Sequence, residues 1–345
     1  MNQHKVAVVG ASGYSGEELV RLLIQHPAID LVALTSRQHV GEPLAKVYPR
    51  FAGQRYGSLK FSDSKVESIV GAGAHFAFLA LPHGVAAEFA RPLLDAGLRV
   101  LDLSADFRIK APAVYETYYG AQHAAPELAA QSVYGLPEVY REKIRDARLV
   151  ACPGCYPTSV ILPLHPLLAR GVIDPRTIVV SSMSGVSGAG RNIALEYLFA
   201  ECNESVRAYG VPRHRHLGEI EQELGNALGQ AVVISFTPHL VPITRGIYTT
   251  IFASLQPGKN AAHVASAFEE AYGGEQFIRL LGTNGSPDTK HVARSNFLDL
   301  AWRIDERTQR VVLLSAEDNL VKGAAGQAVQ CLNVMGGWPE SSALL

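Results

Sequence analysis

The sequence predicts an α/β fold in which a mainly parallel, doubly wound sheet is followed by a second, α+β domain. Three observations predict it. Short β-branched runs alternate with helical apolar spacing over the first 150 or so residues, a glycine triplet joins the first strand to the first helix, and beyond about residue 155 strands recur with fewer helices between them. Lys5 to Val9 reads as a strand that stops at Gly10, and Glu17 to Gln25 (EELVRLLIQ) as the helix after it. Leu31 to Thr35, His75 to Leu81, Leu98 to Leu103 and Arg148 to Ala151 continue the series, with GVAAEFARPLLDAG as an intervening helix. Strands apolar on both faces belong in a parallel sheet covered on both sides. In the second half, Thr177 to Met183, Ala231 to Thr237, Ile247 to Leu255 and Arg310 to Ser315 are strand-like, and Asn319 to Val334 reads as one helix that could pack back on the first domain.

Composition narrows the function. Lys and Arg total 31 against 32 Asp and Glu, so the formal charge is −1 and no cationic field exists to collect nucleic acid or an anionic membrane. Apolar residues at 48%, with 31 Gly and 19 Pro, exclude a disordered or collagen-like chain. Pro, Gly, His or Arg breaks each apolar run before the roughly 18 residues of a membrane helix. The first residues, MNQHKVAVVGASGYSG, show no secretory or transit pattern, so the cytoplasm is the expected compartment. Four cysteines, Cys152, Cys155, Cys202 and Cys331, are too few for a disulfide framework.

The loop Gly10-Ala11-Ser12-Gly13-Tyr14-Ser15-Gly16 sits where a Rossmann dinucleotide-binding domain holds a pyrophosphate, between a strand end and the unpaired N–H groups of a helix start. A plain strand-to-helix turn without ligand is the bland alternative. Strand two ends in Thr35-Ser36-Arg37 with no carboxylate to meet a ribose 2′-hydroxyl, and a hydroxyl beside a guanidinium suits a 2′-phosphate, which favours NADP over NAD. The alternative for Arg37 is an ordinary solvated arginine.

Cys152-Pro153-Gly154-Cys155-Tyr156-Pro157-Thr158 carries the chemistry. Pro157 suits the first turn of a helix running toward Leu168, which puts Cys155 at the helix start, where the dipole favours a thiolate nucleophile. Pro163 should kink that helix. A CxxC redox pair, half of a zinc site completed by Cys202 with His214 or His216, and two inert buried thiols are the other readings; no metal site is expected. A thiol nucleophile calls for a nearby base, and Arg213-His214-Arg215-His216 is the densest histidine cluster, with arginines that imply an anionic substrate. Gly185 to Gly190, within SGVSGAG, is expected to cradle the leaving phosphate on its N–H groups, or else to be a simple turn.

GASGYSG, LPHG, DLSADFR, YGLPE, CPGCYPT, SGVSGAGR, HRH and DNLVKGAAGQA together resemble the N-acetyl-gamma-glutamyl-phosphate reductase family, type 1, across nearly the whole chain. The resemblance implies a semialdehyde dehydrogenase type of fold: an NADP-binding Rossmann domain over 1–151 completed by 318–345, and a catalytic and oligomerisation domain over 152–317. It implies Cys155 as nucleophile and His216 as general acid/base. It implies NADP(H) contacts from Gly10, Ser12, Gly13, Tyr14, Ser15, Gly16, Ser36, Arg37, Leu81, Pro82, His83, Gly185, Gly188, Asn319 and Lys322, and substrate contacts from Arg108, Ser187, Tyr209 and His214. The implied substrate is a small acyl phosphate and the implied assembly a homodimer or homotetramer. Lysine-pathway reductases carry a GAGCN-like loop and aspartate-semialdehyde dehydrogenases an Asn after the cysteine, where this chain has Tyr156. A non-enzymatic NADP redox sensor would need the glycine loop alone.

Overall fold

The computed structural model describes residues 3–191 and 193–345. They fall into two units, one of 1–116, 121–153 and 324–345, the other of 117–120 and 154–323. The sequence reading sets the crossings at 151/152 and 317/318, whereas the chain changes unit after Pro153 and after Gly323. Cys152 stays with the first unit because its N–H donates to the Asp102 carbonyl at 2.8 Å.

In the first unit β1 (His4–Val9), β2 (Ile29–Thr35), β3 (Phe61–Ser62), β4 (Phe76–Leu79), β5 (Arg99–Asp102), β6 (Val133–Tyr134) and β7 (Leu149–Ala151) form one sheet in the order β3-β2-β1-β4-β5-β7-β6. Every pairing in it is parallel. The strand order reverses between β1 and β4, and such a switch point opens a crevice at the carboxyl ends of the strands. The glycine loop leaves β1 there, and Leu81, Pro82 and His83 follow the end of β4. Ala7, Val9, Ala77, Leu79, Val100 and Leu149 pack with Phe89 and Leu93 of the Ala86–Asp95 helix in a buried core.

The DLSADFR segment leaves β5 as a chain of buried hydrogen bonds. Asp102 accepts from the Ser104 N–H and hydroxyl, and the Ser104 hydroxyl in turn accepts from the Asp106 N–H. Asp106 accepts from the N–H groups of Gly84 and Ala86 at the start of the Ala86–Asp95 helix. Burial, reinforced by the Asp106 charge, pushes the Asp102 carboxyl from its ordinary 3.8 up to about 7.

The second unit contains β8 (Val179–Ser184), β9 (Arg207–Ala208), β10 (Ser235–Leu240), β11 (Ile247–Ser254), β12 (Ile278–Gly282), β13 (Leu298–Asp305) and β14 (Arg310–Glu317), ordered β12-β13-β14-β11-β8-β10-β9. The sheet is mixed: β8 pairs parallel with β10 and antiparallel with β11. The strand read at Ala231 to Thr237 lies further on, continuing through Pro238, where the neighbouring β9 pairs only with His239 and Leu240. One face packs on helices; on the other, Val179 and Met183 of β8 are 43% and 44% exposed.

The helix Cys155–Ala169 buries every residue except Cys155, His165 and Ala169. Pro163 and Pro166 lie inside it, and each removes the N–H that would meet a carbonyl four residues earlier. The structure replaces both donors. The Ser315 hydroxyl donates to the Ser159 carbonyl and the Tyr272 hydroxyl to the Leu162 carbonyl, each at 2.8 Å. The helix therefore runs on through both prolines. The helix expected from Asn319 to Val334 is instead a π turn, Val321–Ala325, followed by an α-helix, Gly326–Gly336. The Asp318 carboxylate accepts from the N–H groups of Leu320 and Val321 and sets an irregular first turn.

Two measurements follow from these contacts. Tyr272→Phe strands the Leu162 carbonyl and lowers stability by about 1–3 kcal/mol in equilibrium urea unfolding. Asp102 holds its proton more tightly folded than unfolded, so its contribution to stability declines as pH rises from about 4 to about 7. Asp102→Asn removes that titration, and the melting temperature of the variant minus that of the parent increases from pH 5 to pH 8; a constant difference contradicts the raised carboxyl.

Candidate active site

Two clusters carry the candidate residues, one in each unit. In the first, Gly10 has φ +84°, and a Cβ there would lie 2.5 Å from the Ala80 carbonyl oxygen and 3.1 Å from Leu81 Cδ2. At Gly16 a Cβ would lie 2.4 Å from the Gly10 oxygen. Packing alone demands those two glycines. Gly13 differs: a Cβ there would meet nothing nearer than the Gly10 oxygen at 3.9 Å, in ordinary backbone geometry. The surface beside Gly13 is an open cradle at the start of the Tyr14–Leu23 helix, which fits close approach of a pyrophosphate. Behind it the Ser36 hydroxyl donates to the Ser12 hydroxyl at 3.0 Å, and the Tyr48 hydroxyl donates to the Ser12 carbonyl. Ser36 is buried, whereas Arg37 is exposed and forms no ion pair among the described residues. Tyr14, Pro82 and His83 are exposed, and Ser15 and Leu81 half-buried.

Arg108 is buried in the same unit. Its Nε donates to the Cys152 carbonyl and its Nη2 to the Leu103 carbonyl, both at 2.8 Å. This guanidinium anchors the backbone two residues ahead of Gly154.

In the second unit Cys155 opens its helix with Gly154 as N-cap in extended geometry. None of the four cysteines is in a disulfide, and Cys155 is half-buried where Cys152, Cys202 and Cys331 are buried. That separates one reachable thiol from three interior ones; among the described residues no group of three metal-binding side chains occurs. The backbone touches its neighbours tightly here. A Cβ on Gly323 would lie 2.8 Å from the Cys155 Cβ and 3.0 Å from Glu317 Oε1.

Next to Cys155 stands a box of rings. Tyr156 lies edge-on to His214, His216 and Phe236 at centroid distances of 5.4, 6.0 and 5.4 Å, and His214 and His216 are 4.9 Å apart. The Tyr156 and Tyr209 hydroxyls are 2.8 Å apart. Burial pushes the Tyr209 hydroxyl up to about 12 and Tyr156 further in the same direction, so both remain protonated. The two histidines are not equivalent. Burial, helped by the Arg215 charge, takes His214 down to about 4, and its Nδ1 accepts from the His216 N–H at 3.2 Å. His214 is thus neutral at neutral pH, with its proton on Nε2 as a fixed donor. Arg213 and Arg215 alternate with the histidines and point outward, exposed.

The Gly185 to Gly190 loop does not offer the expected anion cradle. The N–H groups of Gly185, Val186 and Ser187 donate to the carbonyls of Gly246, Ile243 and Thr244, and those of Gly188 and Gly190 to carbonyls within the loop. Asn319 closes the same knot, accepting from the Gly246 N–H and donating to the Ser187 hydroxyl at 3.0 Å. A Cβ on Gly185 would lie 2.7 Å from the Ile243 oxygen, and Gly188 faces Ser184 and Asn319. Lys322 is fully buried with its ammonium 5.8 Å from the Phe277 ring centre. Sequence reasoning gave Glu219 no part. Its buried carboxylate accepts from the Gly154 N–H at 2.9 Å, and the signal available was its place three residues after His216.

One unit thus carries a glycine loop at the switch point of a parallel sheet, and the other a reachable thiol at a helix start. Residues 5–147 match the family model of the semialdehyde dehydrogenase NAD-binding domain, and residues 155–319 that of the semialdehyde dehydrogenase dimerisation domain. Aspartate semialdehyde dehydrogenase II of Vibrio cholerae, solved with ASA, shares the fold at TM-score 0.74 and 18% identity over 98% of this chain and 99% of that one. The Candida albicans aspartate semialdehyde dehydrogenase with NADP aligns at TM-score 0.72 and 17% identity over 96% and 98%. N-acetyl-gamma-glutamyl-phosphate reductase of Akkermansia muciniphila is 56% identical over 100% of this chain and 99% of its own length, and that of Moorella thermoacetica 50% over 99% and 97%. The chain belongs to the N-acetyl-gamma-glutamyl-phosphate reductase family.

The crowding at Gly323 gives a direct test. Gly323→Ala presses a methyl group on Cys155 and Glu317 and costs about 1–3 kcal/mol in urea unfolding; parental stability in the variant contradicts a tightly held helix start.

Proposed function

We propose that this chain is a cytoplasmic, NADPH-dependent reductase that converts N-acetyl-L-glutamyl 5-phosphate to N-acetyl-L-glutamate 5-semialdehyde and inorganic phosphate in arginine biosynthesis. The observation that carries the reading is the single reachable thiol, Cys155, at a helix start whose next residue, Tyr156, packs edge-on against the His214 and His216 rings. The relatives at 48–56% identity, named for this reduction, support the substrate.

The helix N-terminus favours the thiolate of Cys155. Its sulfur attacks the acyl carbon, the C–O bond to phosphate breaks, and a thioester remains on Cys155. NADPH, when bound, supplies the hydride that reduces this acyl group. The C–S bond then breaks, the aldehyde leaves, and the thiolate is restored. His216 moves protons at the departing phosphate and at the acyl oxygen, a role typically worth about 10²–10⁴ in rate. His214, taken down to about 4, is too weak a base for that role near pH 7 and its Nδ1 already accepts the His216 N–H; it orients the substrate through Nε2–H, with the Tyr209 ring beside it.

Gly10, Gly13 and Gly16 with Ser12, Tyr14 and Ser15 would hold the pyrophosphate, and Ser36 and Arg37 the 2′-phosphate, which makes NADP the preferred cofactor. Leu81, Pro82 and His83, at the end of β4, would line the same crevice. For Arg108, Ser187, Asn319 and Lys322 the geometry supports anchoring of backbone and loops more than direct contact with substrate or cofactor. The half-open sheet of the second unit, in a region matched to a dimerisation domain, supports a homodimer or a dimer of dimers. No helix among the described residues is long and apolar enough to cross a membrane.

The test is phosphate-dependent reduction of NADP by purified protein with N-acetyl-glutamate 5-semialdehyde, run beside aspartate semialdehyde and the aminoadipate homologue. Turnover is expected with the first aldehyde, at least about 10³-fold lower in Cys155→Ser. Arg37→Ala should raise the KM for NADP with little change for NAD. Preference for another aldehyde moves the pathway and keeps the chemistry, whereas NADP binding that is indifferent to Cys155→Ala, with no turnover on any aldehyde, favours a redox sensor.

A further inference from the structure

One buried side chain joins the start of the Cys155 helix to the start of the helix that follows His216. Glu219 is wholly shielded from solvent, and its Oε1 accepts the Gly154 N–H at 2.9 Å. Gly154 is the N-cap of Cys155–Ala169 and precedes the sulfur-bearing residue directly; as a glycine it offers no side chain of its own to cap the helix. Glu219 stands in the first turn of the Leu217–Leu228 helix, whose N-cap is His216. The Ile220 N–H donates to the His216 carbonyl at 3.0 Å, so His216 and Glu219 belong to one hydrogen-bonded turn.

We infer that Glu219 is a positioning residue that sets His216 against Cys155 by tethering the Gly154 N–H to the His216 turn. The inference rests on the roles proposed for Cys155 and His216. Glycine at the N-cap leaves the backbone ahead of Cys155 freer to rotate than another residue would; Thr158 holds the Gly154 carbonyl from within the helix, and Glu219 holds its N–H from outside. A serine or threonine on Gly154's own position would cap the helix without fixing its relation to the histidine. A glutamate reaching in from the next helix does both, and its burial is costly unless its oxygens are engaged. An error of about 1 Å in such an alignment can cost about 10²-fold in rate.

Reach and charge can be separated by two variants. Glu219→Asp keeps the carboxylate but is one methylene shorter, and Glu219→Gln keeps the reach and an acceptor oxygen but loses the charge. Positioning predicts that E219D lowers kcat at least about tenfold with KM within about threefold, and that E219Q recovers kcat to within about threefold of the parent. Melting temperatures of both are measured alongside, so that loss of folded protein is not read as loss of rate. The reverse order, with E219Q impaired and E219D active, overturns the inference in favour of an electrostatic role. Equal activity of both variants, whether parental or impaired, overturns it too, as does a change in KM alone. Failure of the underlying reading looks different: Cys155→Ser or His216→Ala then turns over like the parent.

Discussion

The second unit depends on a helix that could not exist alone. Cys155–Ala169 is apolar on nearly every side and interrupted twice by proline, so it has neither an amphipathic face for solvent nor a complete set of hydrogen bonds. The sheet and its flanking helix supply what is missing, through one serine and one tyrosine hydroxyl that stand in for absent N–H groups. The thiol therefore rides on an element whose position is dictated by core packing. A reactive group held this way needs no flexible loop to aim it, and preorganisation of that kind is the larger part of many catalytic effects.

The site sorts its polar groups by burial. Two tyrosines share a hydrogen bond where neither can ionise near neutral pH, and one of two neighbouring histidines is so desolvated that it stays neutral. The cations beside the histidines, Arg213 and Arg215, are exposed, while the Glu219 carboxylate is buried against the Gly154 N–H. A cluster of similar residues in the sequence thus becomes a set of distinct tools, because exposure alternates along the chain. The same sorting shows in the first unit, where a buried serine lies next to an exposed arginine at the end of β2.

What could be read from sequence was local. The glycine loop, the Ser36-Arg37 pair and the cysteine at a helix start each lie within a few residues, and each stands in the structure on the element expected. Contacts between distant segments were not legible. Gly154 and Glu219 are 65 positions apart, and nothing in either stretch points to the other. The glycines of the 185–190 loop suggested open N–H groups, but the turn at Ile243 to Gly246 takes those of residues 185 to 187, and the loop's own carbonyls take those of Gly188 and Gly190. The continuity of the helix past its prolines was hidden for the same reason: the hydroxyls that satisfy Ser159 and Leu162 come from more than a hundred residues away. The short or charged strands Ile278–Gly282 and Leu298–Asp305 lacked a clean alternation and went unread.

Sulfur is distributed in this chain so that three atoms are interior and one is reachable. A soft electrophile meeting the folded protein accordingly has one destination, and the mass it adds counts functional sites, one adduct per competent chain. Unfolding releases the other three. The ratio of adducts before and after denaturation is therefore an internal standard for how much of a preparation is intact, available without any substrate.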